Sequence, residues 1–158
     1  MYTLCVAIVL DTSFLIALAK VGGLDLLKHL EPERLVPTGV IEELKVGRRK
    51  GAPEAQPILE TLKQLRVQER KVQASSVDEA VISLAKAERA EMFTNDIPLR
   101  SRAQAQGVIA FGVEDFLFLL LCRGVLIQKE YQRLIGELWR RGQIGKDQMA
   151  RYLDLQGA

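Results

Sequence analysis

Six acidic side chains stand where a hydrophobic run gives way to a helix, or where a helix begins. Asp11 ends the apolar run "LCVAIVL" and is followed by two hydroxyls, Thr12 and Ser13, while Asp96 closes "EMFTND" behind Thr94 and Asn95. Glu42 and Glu43 fall early in "GVIEELKVGRR", and Asp78 and Glu79 open "VDEAVISLAKAERA". A lone carboxylate at the end of a buried strand costs several kcal/mol unless something pairs with it. Thr12 or Ser13 capping the next helix, with Asp11 at its positive end, accounts for a polar residue there but does not require an acid. Acids gathered on one rim repel one another unless protons or a cation neutralise them. Oxygen donors without His or Cys suit a hard ion, Mg²⁺ or Mn²⁺, better than zinc. Such an ion orients and activates water and neutralises charge on a phosphoryl oxygen, so the reaction class suggested is phosphodiester hydrolysis.

The elements that must carry these acids follow from periodicity. Residues 4–10 form a continuous apolar run suited to a strand buried on both faces of a parallel sheet. Helical spacing runs from Phe14 to about Leu30 with a break at Gly22-Gly23, and "RLVPT" reads as a short strand before the helix "GVIEELKVGRR". The stretch "GRRKGAPEAQP" connects that helix to a second one from Pro53 to about Leu65, with Pro53 in its first turn. The remainder reads as helix "VDEAVISLAKAERA", strand "EMFTND", helix "IPLRSRAQAQ" ended by Gly107, strand "VIAF", and then helical pattern to the end. Alternating strands and helices predict a three-layer α/β/α fold with a mainly parallel central sheet, residues 1–112, followed by C-terminal helices, 113–158, packing on the same domain. Ligands of such sheets bind beyond the carboxyl ends of the strands. Asp11 and Asp96 occupy equivalent strand ends, and the two acidic pairs open elements expected to face the same edge.

A chain of 158 residues, 48% hydrophobic and 27% charged, has the composition of one ordinary globular domain. Its net charge of +2 says little about a polyanionic partner, so local charge has to decide. Cys5 and Cys122 lack metal-site or disulfide spacing and read as buried free thiols in a reducing compartment. The hydrophobic start has no basic leader, and Asp11 interrupts it before membrane-spanning length, so the expectation is a cytoplasmic protein with no membrane segment.

The acidic motifs also resemble those of the PIN-domain family of metal-dependent ribonucleases, which includes many toxins of toxin-antitoxin pairs. "VLDTSFLIALAK" is similar to the first motif, placing a metal-ligand aspartate at Asp11 and a hydroxyl at Thr12 or Ser13. "VIEEL" resembles the second motif and points to Glu43 rather than Glu42. The third acid corresponds to Asp78, with adjacent Glu79 as the alternative, and the fourth to Asp96, with Thr94, Asn95 and Arg100 as its frequent neighbours. The likeness spans residues 4 to about 112, and every acidic position of an active member is filled. Asparagine stands where a second carboxylate often accompanies the last aspartate, which favours one tightly held ion over two.

What the resemblance implies is an Mg²⁺- or Mn²⁺-dependent endoribonuclease. Asp11, Glu43, Asp78 and Asp96 would hold the ion, and Thr12, Ser13, Thr94 and Asn95 would orient ligands or water. It further implies a homodimer and a small antitoxin partner. Lys45, Arg48, Arg49 and Lys50, beside the second motif, read as a patch that tracks RNA phosphates, or as a solvated helix end. Arg100 reaches a phosphate or the acids, or forms a surface ion pair. Tyr131, Leu134, Ile135, Leu138 and Trp139 form a helical stripe for the domain's own core or for a partner.

Other readings fit less well. His29, the only histidine, lies at the far end of the helical pattern from Ser13, which excludes a Ser-His-Asp triad. A haloacid-dehalogenase-like phosphatase needs an aspartate two residues after the first, and Ser13 stands there. A PIN-like module that binds RNA or protein without cutting is the alternative from outside enzymology.

Overall fold

The computed structural model describes residues 7–30 and 33–155. Cys5 and the start of the predicted first strand lie outside the described residues, and Cys122, expected to be buried, is an exposed free thiol because it is the last residue of its helix.

The first strand, β1 (Ala7–Leu10), is buried along its whole length, as an all-apolar strand in the middle of a parallel sheet must be. Around it are β2 (Glu33–Pro37), β3 (Gln68–Arg70), β4 (Glu91–Phe93) and β5 (Ala110–Phe111), in the order β3-β2-β1-β4-β5 with every pairing parallel. Val9 is the register residue, facing Leu35 on one side and Met92 on the other. Chain connections run outward from β1 through β2 to β3, then cross back to β4 and on to β5. The reversal lies between β1 and β4, which makes their carboxyl ends the switch-point crevice of the sheet. Backbone pairing continues there, with Asp11 N donating to Phe93 O at 3.0 Å and Thr94 N to Phe111 O at 2.8 Å.

The helices are α1 (Thr12–Lys20), α2 (Thr38–Arg49), α3 (Ala55–Gln64), α4 (Val77–Glu88), α5 (Ile97–Ala105), α6 (Val113–Cys122), α7 (Gln128–Arg140) and α8 (Lys146–Leu155). With strands in this order, the right-handed crossover rule for parallel sheets assigns α1 to α3 to one face and α4 and α5 to the other, in keeping with the three-layer fold. Helix α1 packs on α2, α3 and α6, and α4 lies against β1, β2 and β4. An aromatic wedge sits beneath the crevice: Phe14 is 5.2 Å from Phe93 and 5.5 Å from Phe116, tying α1, β4 and α6 together. Each such pair contributes about 0.5–1.5 kcal/mol beyond its buried area.

Several expectations differ in detail. Helix α1 starts at Thr12 rather than Phe14, and beyond the Gly22-Gly23 break the chain forms a 3-10 helix, Leu24–His29. Pro53 precedes α3 instead of lying in its first turn, because Glu54 is the N-cap. Strand β3 has no sequence signal: Gln68, Glu69 and Arg70 are polar edge residues recruited by pairing with β2. On α7, Tyr131, Leu134, Ile135 and Leu138 are buried, whereas Trp139 is 42% exposed and leaves the stripe. No helix among the described residues is long and apolar enough to cross a membrane.

Candidate active site

Asp11 sits at the N-cap of α1 and is 5% exposed, yet its side chain makes no capping bond to that helix. Its carboxylate is met by hydroxyls. Ser13 Oγ donates to Asp11 Oδ2 at 2.6 Å, and Thr94 Oγ1, fully buried, donates to the same oxygen at 2.7 Å. Burial pushes Asp11 above the usual carboxylate range; the Ser13 and Thr94 bonds oppose the shift, and the charge of Asp78 adds to it. Asp11 does stand at the positive end of α1, where a backbone bond from Thr12 favours its charge, but it makes no side-chain cap, and Thr12 and Ser13 lie inside the helix with their hydroxyls on carboxylates.

Thr12 Oγ1 donates to Glu43 Oε1 at 2.5 Å, bringing α2 to the start of α1. Partial burial raises Glu43 as well; Thr12 opposes the shift, while the charges of Asp11 and Asp78 reinforce it. Asp11, Glu43 and Asp78 thus lie within electrostatic reach of one another. Glu79 does a different job. Its backbone N–H donates to the N-cap Ser76 Oγ at 3.1 Å and its carboxylate accepts from the Ser75 hydroxyl, an arrangement that fastens the start of α4 and holds Glu79 below its ordinary value. Glu42, one residue from Glu43, instead lines a separate groove of about 580 Å³ between α2 and the start of α4.

The turn after β4 carries Thr94, Asn95 and Asp96. Asp96 Oδ1 accepts from Leu99 N at 3.0 Å, capping α5, which leaves a second carboxylate oxygen to offer. The backbone N–H of Asp96 donates to Thr94 Oγ1 at 3.1 Å, and that of Asn95 donates to Ser13 Oγ at 2.9 Å. The Asn95 side chain turns away from the acids, its Nδ2 donating to Gln143 O at 2.8 Å.

Arg100 likewise turns inward. Its Nη2 lies 3.5 Å from Glu114, which is 1% exposed, and its Nη1 is 3.9 Å from Asp115. Gly112 makes room for this pair, since a Cβ there would stand 2.0 Å from both Arg100 Nη2 and Glu114 Oε1. The α5 cation at the acidic rim is Arg102, 3.6 Å from Asp78 Oδ2, and the sequence reading missed it; its place one helical turn and a half beyond Asp96 was the available signal. Lys45, Arg48, Arg49 and Lys50 are all exposed along the end of α2, with Arg48 bonded to Gln56.

The donor set is entirely oxygen and carries more negative charge than its burial favours, which in chemical type fits a hard divalent cation. Among the described residues, no three His, Cys, Asp or Glu side chains stand together as a ready-made chelate.

A parallel sheet with acids at the carboxyl ends of its strands and at the neighbouring helix starts is common to a broad class of α/β protein. This chain belongs to the PIN-domain family, the family model DUF3368, a PIN domain, matching residues 7–154. Members are in general nucleases that typically use divalent metals. The fold is similar to that of a PilT N-terminus domain protein from the hyperthermophilic archaeon Sulfolobus solfataricus P2, with a TM-score of 0.52 and 14% identity over 70% of this chain and 89% of that one. A domain of a functionally unknown protein from Methanocaldococcus jannaschii DSM 2661 aligns at a TM-score of 0.48 and 17% identity, over 67% of this chain and 89% of that one. No curated protein matches the chain.

Proposed function

We propose that this PIN-domain protein is an Mg²⁺- or Mn²⁺-dependent endoribonuclease whose site is the crevice between β1 and β4. The observation that carries the reading is Asp11, a buried carboxylate that makes no side-chain cap and is aimed by two hydroxyl donors. A charge kept in that position at a cost to the fold suits a group that must bind a cation.

Asp11, Glu43, Asp78 and Asp96 would hold the ion. When bound, the ion supplies Lewis-acid activation of water and neutralisation of charge on the phosphate. The chain's own groups do the rest. Ser13 and Thr94 fix the rotamer of Asp11, Thr12 fixes that of Glu43, and Arg102 offers a cation at the rim for a phosphate oxygen. Lys45, Arg48, Arg49 and Lys50 extend a positive surface for the RNA backbone along α2. The reading extends to a cytoplasmic toxin that acts as a homodimer and is restrained by a small antitoxin protein; sedimentation of the purified chain and its co-purification with the product of an adjacent gene test those two points.

The central experiment incubates the purified protein with a mixed single-stranded RNA pool in Mg²⁺, in Mn²⁺ and in excess EDTA, alongside Asp11→Asn. Cleavage that requires metal and disappears in the variant is the expected result. Intact RNA under every condition, from a protein that still binds RNA, would replace this reading with the non-catalytic binding module.

A further inference from the structure

We infer that Asn95 is a positioning residue, latching the acid-bearing turn after β4 to the turn between α7 and α8 so that the C-terminal helices hold the orientation of Asp11. Its kinetic consequence rests on the ribonuclease reading; the latch itself does not.

The argument begins with proton counting. A hydroxyl has one proton to donate and lone pairs with which to accept. Ser13 Oγ accepts from Asn95 N, and Thr94 Oγ1 accepts from Asp96 N, so two consecutive backbone N–H groups occupy the accepting sides of the two hydroxyls. Both hydroxyl protons are thereby left to point at Asp11 Oδ2. The 3.1 Å approach of Ser13 Oγ to Thr94 Oγ1 then carries no proton of its own and follows from their shared acceptor. Displacing the 95–96 backbone would free both hydroxyls to rotate, and Asp11 would lose the donors that aim it.

Besides the sheet bond from Thr94 N to Phe111 O and the Asp96 cap on α5, that backbone is tied down by the side chain of Asn95, whose Nδ2 donates to Gln143 O at 2.8 Å. The acceptor is itself rigid. Helix α7 ends in a Schellman turn, with Gln143 N donating to Leu138 O at 2.8 Å, Gly142 N to Trp139 O at 3.0 Å, and Gly142 at φ +71°. Buried Leu138 and Ile144 bracket the turn and anchor it in the core. The Gln143 N–H is consumed within the turn, and its carbonyl meets Asn95 in the turn after β4. A hydrogen-bond path of two side chains and one backbone amide therefore runs from Gln143 through Asn95 and Ser13 to Asp11, joining elements far apart in sequence.

Two substitutions break the latch from opposite ends without touching an acid. Asn95→Ala removes the donor and keeps the backbone N–H. Gly142→Val has open space for its side chain but strains a left-handed backbone, which moves the Gln143 carbonyl. Amide hydrogen exchange at positions 95 and 96 reads the latch directly. Exchange there is expected to accelerate about tenfold in each variant, with core strands unchanged, and cleavage at saturating RNA to fall about tenfold with KM unaltered, the usual scale for a partner that orients a metal ligand. The double variant is expected to lose no more than either single one, because both remove the same bond. Unchanged exchange at 95 and 96 in Asn95→Ala would overturn the inference. So would faster exchange throughout the molecule, which would make Asn95 a general stability residue. Local acceleration in a protein whose wild type cuts no RNA would uphold the latch and reject the ribonuclease reading.

Discussion

Asp11 is a residue whose position opposes stability. A carboxyl held above its ordinary value in the fold binds protons more readily when folded than when unfolded. Its contribution to metal-free stability is therefore fully present below the ordinary carboxylate value and is lost as pH rises through the raised one, with Glu43 acting in the same direction and the lowered Glu79, Glu130 and Glu137 in the opposite one. Asp11→Asn keeps an oxygen to accept from Ser13 and Thr94 while removing the buried charge. In EDTA at neutral pH it is expected to gain on the order of 1 kcal/mol, or about 2–4 °C in Tm, as it loses cleavage; calorimetry of both proteins with and without Mn²⁺ checks this, since added ion should erase the difference. Asp96 is a cleaner case. Asparagine caps helices as well as aspartate does, so Asp96→Asn should leave the urea midpoint within about 0.5 kcal/mol of wild type while metal-dependent cleavage falls.

At the scale of elements, α5 and α6 are joined by the Arg100–Glu114 pair packed against Gly112. Gly112 has an extended backbone, so the requirement for glycine is steric, not conformational. Gly112→Ala must displace two enclosed charged groups and is expected to cost about 1–3 kcal/mol in urea unfolding. The end of α2 is a different kind of surface: its four cations are exposed, and their contribution to stability is small. If they track RNA, neutralising Arg49 and Lys50 together should weaken binding of unrelated single-stranded RNAs alike and reduce the dependence of log K on log salt by about 1.4, measured by fluorescence anisotropy across a salt series. A slope equal to that of wild type would return these residues to a solvated helix end.

For the molecule as a whole, the C-terminal helices are part of the domain's core. Phe116 of α6 packs on Phe14 and Phe93 directly below the crevice, and Tyr131 of α7 donates to Tyr152 O of α8 at 2.7 Å. Leu138, fully buried on α7, is expected to cost about 2–5 kcal/mol when cut to alanine, whereas Trp139→Ala should change monomer stability by less than about 0.5 kcal/mol. Chemical unfolding of the two variants separates the roles of these adjacent residues, and a large effect at Trp139 that depends on protein concentration would assign it to an interface between copies.

The sequence by itself determined the α/β class, the parallel central strand and the strand-end positions of Asp11 and Asp96, because these rest on local signals: a continuous apolar run, helical periodicity, and polar residues at element ends. It left Asp78 against Glu79, and the duties of Thr12 and Ser13, open. Side-chain direction separates them, with Glu79 drawn back to Ser75, Asp78 paired with Arg102, and Thr12 and Ser13 parted toward Glu43 and Asp11 by the turn of one helix. Strand β3 was invisible because three polar residues become a strand only when β2 offers an edge. Arg100, placed by sequence near the acids, was claimed by a buried Glu114 fourteen residues on, and Asn95 by a backbone carbonyl forty-eight residues on. Pairings of that separation depend on how helices stack after the chain has closed on itself, and no local pattern encodes them.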